Sequence, residues 1–142
     1  MNYPGACHCG AISILLQSAK TPSTLGARQC SCDFCRVQAA AWTSDPEGRL
    51  EISAHGPISR YQFGTKTADF IVCGQCGMAP AVIAVMGDKI LGVVRVNCLQ
   101  DRDEFMKASL VSDLGDEAVQ TRLDRRSCNW TPATISEMAK HA

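Results

Sequence analysis

The chain is 142 residues long, 46% apolar and 20% charged, with 14 basic and 14 acidic side chains and a formal net charge of zero. That length suits a single domain spanning 1–142 with a real core. The balanced charge weighs against nucleic acid or an anionic membrane as main partner, because both require a basic surface, and no apolar run reaches the roughly 20 residues of a membrane span.

The opening Met1 to Cys7 has neither a basic head nor an apolar stretch, so no secretory signal is expected. A cytoplasmic chain keeps its thiols reduced, and its clustered cysteines then bind metal or do chemistry. Nine cysteines are present, an odd number that a full disulfide framework would leave unpaired by one. In such a compartment the sequon-like Asn129-Trp130-Thr131 is a chance match.

In chain order, Ala11 to Leu16 reads as a short apolar strand, and Ser18 to Gly26 is turn-rich, with Pro22 and Gly26 as punctuation. The cysteine cluster Cys30 to Arg36 follows, then small apolar residues up to Trp42. Ser44-Asp45-Pro46-Glu47-Gly48 is a turn signal. Five strands are expected next: Arg49 to Ala54, Ser59 to Phe63, Asp69 to Val72, Ala81 to Met86 and Ile90 to Val96. Each is short, rich in Val, Ile or aromatics, and bounded by Gly, Pro or Asp. Gly87-Asp88 joins the last two as a hairpin. Asp103 to Ala108 is expected to form a helical turn. Thr131-Pro132 followed by Glu137 reads as the start of a short C-terminal helix running to about Lys140. The whole is a mainly β, mostly antiparallel fold with cysteines on the loops. Trp42, Tyr61, Phe63 and Phe70 are expected in the core.

Cys73-Gly74-Gln75-Cys76-Gly77 follows a strand, as a zinc knuckle does, with two thiolates converging on one ion and glycine freeing backbone N–H groups to point at sulfur. A redox dithiol would need a helix starting at the second cysteine, and Gly77 and Pro80 oppose one. Structural zinc needs four ligands, and Cys7-His8-Cys9-Gly10 supplies the second pair. Disulfides or a redox pair are the alternatives at this stage. Cys30-Ser31-Cys32-Asp33-Phe34-Cys35 puts three sulfurs on one compact loop. Three thiolates hold zinc and leave a fourth position for water or substrate, as catalytic zinc requires; alternatively Cys98 or His8 closes the shell. Three thiolates on a doubly charged ion carry about one net negative charge, which favours holding a thiol as thiolate over making hydroxide. Arg36 is a candidate substrate contact or a solvated surface residue. Arg125-Arg126 offers the same choice for an anionic substrate. The plain readings of His8, Cys98 and isolated Cys128 are a surface histidine beside the ligands, a buried inert thiol and a spectator.

The ordered motifs Gly5-Ala6-Cys7-His8-Cys9-Gly10-Ala11-Ile12, Cys30-x-Cys32-x-x-Cys35-Arg36, Tyr61-x-Phe63-Gly64-Thr65, Cys73-x-x-Cys76-Gly77 with Pro80, and Val96-Asn97-Cys98-Leu99 resemble the glutathione-dependent formaldehyde-activating enzyme family. The resemblance spans about residues 3–100, and the tail from about 110 to 142 is less diagnostic. It implies an Mss4-like β fold with two Zn2+ ions, a closed site at Cys7, Cys9, Cys73 and Cys76, and a catalytic site at Cys30, Cys32 and Cys35. The implied activity is that of a carbon–sulfur lyase joining or splitting a small thiol and an aldehyde, glutathione and formaldehyde in the family's named reaction. The alternative is a non-catalytic zinc-stabilised binding module, because no His–carboxylate pair stands beside the cysteine loop.

Overall fold

The computed structural model describes residues 1–112 and 118–138. Strands β1 (Asn2–Ala6) and β2 (Ile12–Gln17) form a hairpin, and a single turn α1 (Pro22–Leu25) leads to β3 (Ala27–Cys30), α2 (Asp33–Gln38) and β4 (Ala41–Thr43). Next come β5 (Arg49–Ala54), β6 (Ile58–Tyr61), β7 (Asp69–Cys73), β8 (Ala81–Met86) and β9 (Lys89–Arg95). A 3-10 turn (Val96–Cys98), α3 (Arg102–Met106), β10 (Ser109–Ser112), α4 (Val119–Asn129) and β11 (Thr131–Glu137) complete the described chain.

The strands run in the order β1-β2-β5-β11-β9-β4-β3-β10, with β8, β7 and β6 continuing from the other edge of β9. Pairing is antiparallel except for β10 on β3 and β11 on β5. β11 joins the two halves: Thr131 and Pro132 pair with β9, and Ala133 onward pairs with β5. The side-chain period of two explains the main core. On β2 and β5 the facing pairs Ile12 with Ala54, Ile14 with Ile52 and Leu16 with Leu50 are all buried. Each fully buried Leu or Ile contributes about 1.5–3 kcal/mol relative to exposure. Tyr3 and Phe105 close this core edge to face, 5.1 Å between centroids.

β8 and β9 are buried on both faces and separate two apolar clusters. Ala81, Ile83 and Val94 face the main core, while Val82, Ala84, Leu91 and Val93 face a second cluster with Cys35, Trp42 and Trp130. That second cluster carries the site described below.

The expected C-terminal helix is a strand. Thr131 is fully buried and its hydroxyl accepts the Asp45 N–H at 2.7 Å. Period-two burial of Thr131, Ala133 and Ile135, with β-branched residues favouring a pleated surface, outweighs the proline cue. Pro132 is tolerated because it stands where the strand passes from β9 to β5. The expected residues beyond Met138 lie outside the described ones. The helix of the tail precedes this strand, as α4. Tyr61 departs from its expected core position and is 49% exposed. Among the described residues no helix is long and apolar enough to cross a membrane.

One buried polar knot fastens the β2 exit to the β4–β5 turn. Asp45 is 2% exposed and accepts hydrogen bonds from the Ser18 hydroxyl, the Lys20 ammonium at 2.8 Å and the Glu47 N–H at 3.0 Å. Burial alone would push its carboxyl up, but these donors hold it below the ordinary 3.8. A depressed folded-state pKa stabilises the fold above the unfolded value, and this contribution is lost as pH falls through the folded value. The Tm difference between wild type and Asp45→Asn should therefore be largest near pH 7 and shrink below about pH 4. A difference that stays constant from pH 7 to pH 3 would contradict this role.

Candidate metal centres and the adjoining cavity

Two turns of the same design bring the first four sulfurs together. Cys7 follows β1 and Cys73 ends β7. The carbonyl of each accepts from the N–H of a following glycine, Gly10 at 3.0 Å and Gly77 at 2.9 Å. Those glycines have φ of +82° and +79°, where a side chain would be strained. Backbone N–H groups then point at sulfur: Ile12 to Cys7 Sγ at 3.2 Å, and Gln75 and Cys76 to Cys73 Sγ at 3.4 Å each. Such bonds stabilise thiolates.

The sulfurs of Cys7, Cys9, Cys73 and Cys76 all lie within 4.8 Å of one another. Cys7 to Cys9 is 3.7 Å and Cys9 to Cys73 is 3.6 Å. Zinc bonds of about 2.3 Å in a tetrahedron put neighbouring sulfurs about 3.8 Å apart, so the geometry fits. A set of thiols alone suits a soft or borderline cation rather than magnesium or calcium, which require oxygen. Burial opposes ionisation of Cys76, yet N–H groups of Cys9 and Met78 and the thiols of Cys73 and Cys9 bring it down to about 6.

The second set is local. Cys30 ends β3, Cys32 immediately precedes α2, and Cys35 lies inside α2. Their three sulfurs also lie within 4.8 Å of one another. The Cys35 thiol, then the N–H and thiol of Cys32 and the charge of Arg125, draw Cys30 down to about 5 against the opposing effect of burial. Cys35 is correspondingly pushed up, chiefly by its hydrogen bond to Cys30 and by burial. The lowered pKa of Cys30 favours cation capture, because bound thiols must lose their protons. Trp42, expected only as core, also supports this set, because its indole N–H donates to Cys35 Sγ at 3.3 Å.

Two anchors fix this loop. Phe34 of α2 packs on Phe70 and Phe63, with centroids 4.5 and 5.2 Å away. At the other end, buried Arg95 donates through Nη2 to the Gln38 carbonyl at 2.6 Å, where a cation also suits the end of the short helix. Asn97 Oδ1 accepts from Ala41 N–H at 3.0 Å, and Arg95 Nε reaches the same oxygen at 3.4 Å. Nothing in local spacing marks Arg95 and Asn97, nearly sixty residues downstream, as supports of the cysteine loop. Arg95→Met should cost about 2–3 kcal/mol through its lost charge-assisted bonds, lowering Tm by roughly 6–12 °C. It should also lower the affinity of the second sulfur set for zinc while the first set stays loaded, readable as zinc retained per chain after dialysis against a mild chelator.

A cavity of about 200 Å³ opens beside the second set. Cys30, Cys32 and Cys35 line one wall, and Trp42, Phe70, Val82 and Trp130 contribute its apolar floor. Arg28, Arg122, Arg125 and Arg126 form another wall. Arg28 is half-buried on β3, two residues before Cys30 and so on the same strand face; burial and the neighbouring Arg125 charge both push its pKa down. Arg126 donates to Thr67 Oγ1 at 2.7 Å and stacks 4.7 Å over Trp130.

Other candidates fall elsewhere. Arg36 is exposed on α2 and does not line the cavity. Neither Cys98 nor His8 joins the second set among the described residues. Cys98 is buried in the main core with its thiol 3.6 Å from Met78 Sδ, and burial pushes that thiol up to about 11. His8 is exposed on the turn of the first set, and Cys128 is exposed on α4. Of the arginines on the cavity wall, the sequence marked Arg125 and Arg126. Arg28 and Arg122 could have been read from spacing: one alternates with Cys30 along a strand, the other precedes Arg125 and Arg126 by a helical turn.

No curated protein matches the sequence. A crystal structure of a Rhodobacter sphaeroides protein, a Northeast Structural Genomics target, is similar at 30% identity and a TM-score of 0.52, over 69% of this chain and 88% of that one. Residues 2–110 match the family model described as glutathione-dependent formaldehyde-activating enzyme. With more than half its length matched and both sulfur sets inside the matched region, the chain belongs to the glutathione-dependent formaldehyde-activating enzyme family.

Proposed function

We propose that the protein is a zinc-dependent carbon–sulfur lyase that makes or splits a thiol–aldehyde adduct such as S-hydroxymethylglutathione. Cys7, Cys9, Cys73 and Cys76 hold a structural Zn2+; Cys30, Cys32 and Cys35 hold a catalytic one. The observation that carries the reading is a set of three sulfurs, not four, forming the wall of a cavity. Zinc held there supplies a vacant position that lowers the pKa of a thiol. In the splitting direction the adduct's hydroxyl loses its proton, the carbonyl forms, the C–S bond breaks, and sulfur keeps the electron pair and takes up a proton. In the reverse direction sulfur attacks the carbonyl carbon.

The chain's own residues contribute three things. The Trp42 indole fixes Cys35 and spreads the charge on its sulfur. The apolar floor excludes water, which strengthens every charge interaction inside. The arginine wall faces the oxygen that becomes negative during addition and stabilises it. Reduced thiols in both sets fit a cytoplasmic location.

The rival reading, a non-catalytic zinc-stabilised binding module, draws support from the cavity wall, which includes no His, Asp or Glu among the described residues. The two separate in one assay. Protein loaded with two zinc ions, mixed with formaldehyde and glutathione, should speed exchange between free glutathione and its hydroxymethyl adduct as seen by NMR line broadening. A rate equal to the spontaneous one would remove the named reaction and leave the module.

A further inference from the structure

A second cavity, of about 520 Å³, opens where the β8–β9 hairpin, the β4–β5 turn, the end of α4 and the start of β11 meet. The lyase reading makes no use of it. The hairpin supplies Met86, Lys89 and Leu91, and the turn supplies Pro46. Ser127 comes from the last turn of α4, Trp130 from its C-terminal cap and Pro132 from β11. Trp130 also lines the cysteine cavity, so the two cavities are neighbours through that one indole. Among the described residues it is the only one their linings share, and no cysteine lines the second.

The lining sets the class of ligand. At about 520 Å³ the cavity lies within the roughly 300–1,000 Å³ of small-molecule sites. Met86, Leu91, Trp130 and the two prolines make its wall chiefly apolar, and the methionine adapts to irregular shapes. One ionic group stands at the rim. Lys89 is exposed, and among the described residues its ammonium has no ion pair or side-chain hydrogen bond. Neighbouring Asp88 does not line the cavity. A lysine lays its stem along apolar surface and keeps its head in water, where it offers three donors and no acceptor. It therefore selects an anion. The Ser127 hydroxyl is engaged with the Leu123 carbonyl at 3.0 Å. Two carbonyls at the end of α4 are met inside the protein, that of Arg126 by the Trp130 N–H at 2.9 Å and that of Asn129 by the Ser44 hydroxyl at 2.7 Å.

We propose that this cavity is a second binding site, for an apolar monocarboxylate: a hydrocarbon chain or ring bearing one carboxylate. The apolar body lies against Met86, Leu91 and Trp130, and the carboxylate pairs with Lys89 at the rim. Both parts of the ligand are needed. A bare small anion meets one exposed lysine, which holds it weakly, and a neutral amide of the same chain loses the pairing. The site depends on neither sulfur set, and it stands or falls apart from the lyase reading.

Calorimetric titration of the zinc-loaded protein with octanoate, octanamide and acetate tests it, with the Met86 methyl signal followed by NMR in methyl-labelled protein. Octanoate should bind saturably and move the Met86 signal, roughly fivefold tighter than octanamide, the most that one exposed ion pair provides. Acetate should give no saturable heat. Lys89→Gln, at an exposed side chain, should bring octanoate to the octanamide level and leave octanamide unchanged. Ser127→Phe, on the exposed side of α4, should fill the cavity and abolish binding of both. Equal binding of octanoate and octanamide by the wild type, an undiminished preference in Lys89→Gln, or acetate binding as tightly as octanoate would each overturn the proposal. So would octanoate that fails to saturate, or that saturates with the Met86 signal unmoved, since it would then sit elsewhere, against the arginines of the cysteine cavity.

Discussion

Cys73→Ser should leave the protein unfolded at 25 °C, with the far-ultraviolet circular dichroism of the strands lost and no cooperative thermal transition. Cys73 is 1% exposed, ends β7, and receives two backbone N–H groups on its sulfur. Its sulfur lies 3.6 Å from that of Cys9, 64 residues earlier. A cation held by these turns would tie the β1–β2 hairpin, in one half of the sheet, to the β7–β8 connection in the other. Structural zinc contributes on the order of 10 kcal/mol or more to folding, while a domain's whole net stability is about 5–15 kcal/mol. Removing one ligand from the four-sulfur set would thus remove a quantity comparable with the entire margin of the fold. Serine also leaves a hydroxyl among thiolates, where N–H groups arranged for sulfur no longer meet a charge. Cys128→Ser, at an exposed thiol on α4, serves as the neutral comparison. A Cys73→Ser protein that melts cooperatively within a few degrees of wild type would show that the first sulfur set does not hold the two halves together.

What could be read from the chain depended on how local the signal was. β2, β5, β8 and β9 were legible because each is a run of Val, Ile and Leu bounded by turn residues, and Gly87-Asp88 joins the last pair as a tight hairpin. β1 was not, since Pro4 and Gly5 are breakers by propensity. They are accommodated at the sheet edge, and Gly5 is needed there: a Cβ on it would meet the Cys98 carbonyl oxygen at 2.4 Å. β3 and β4 carry too few apolar residues to signal a strand and are fixed by pairing with distant β10 and β9. Thr131 to Glu137 carried two contradictory cues, and tertiary pairing decided in favour of the strand. In the site the same rule holds. Sulfur groupings could be inferred because each cysteine cluster is contiguous or sits on a recognisable turn. The Arg95–Asn97 support and the indole bond to Cys35 depend on chain crossings that no spacing encodes, and so does the meeting of Arg28 with the arginines of α4.

The opposite outcome is expected of Cys32→Ser: a folded protein with one zinc per chain instead of two, a Tm within a few degrees of wild type, and turnover of the thiol–aldehyde adduct reduced about 10²–10³-fold, the size of effect seen when a main electrostatic contribution is removed. The contrast with Cys73 follows from loop closure. Cys30, Cys32 and Cys35 lie within six residues, so bringing them together removes little freedom from the unfolded chain, whereas the first set closes a loop of more than sixty. The second loop also has supports that do not depend on a metal, namely Phe34 against Phe63 and Phe70 at one end and Arg95 with Asn97 at the other. Cys32 is only half-buried, its side chain does not cap α2, and serine is a good residue at the start of a helix. Folding is therefore expected not to need this sulfur, while the proposed cavity chemistry does, because two thiolates would no longer define an open three-ligand centre. Zinc analysis, thermal melts and the adduct-exchange assay measured on the same preparation make the test direct. Wild-type turnover with a single zinc per chain would place the chemistry elsewhere, and an unfolded variant would make the second sulfur set structural like the first.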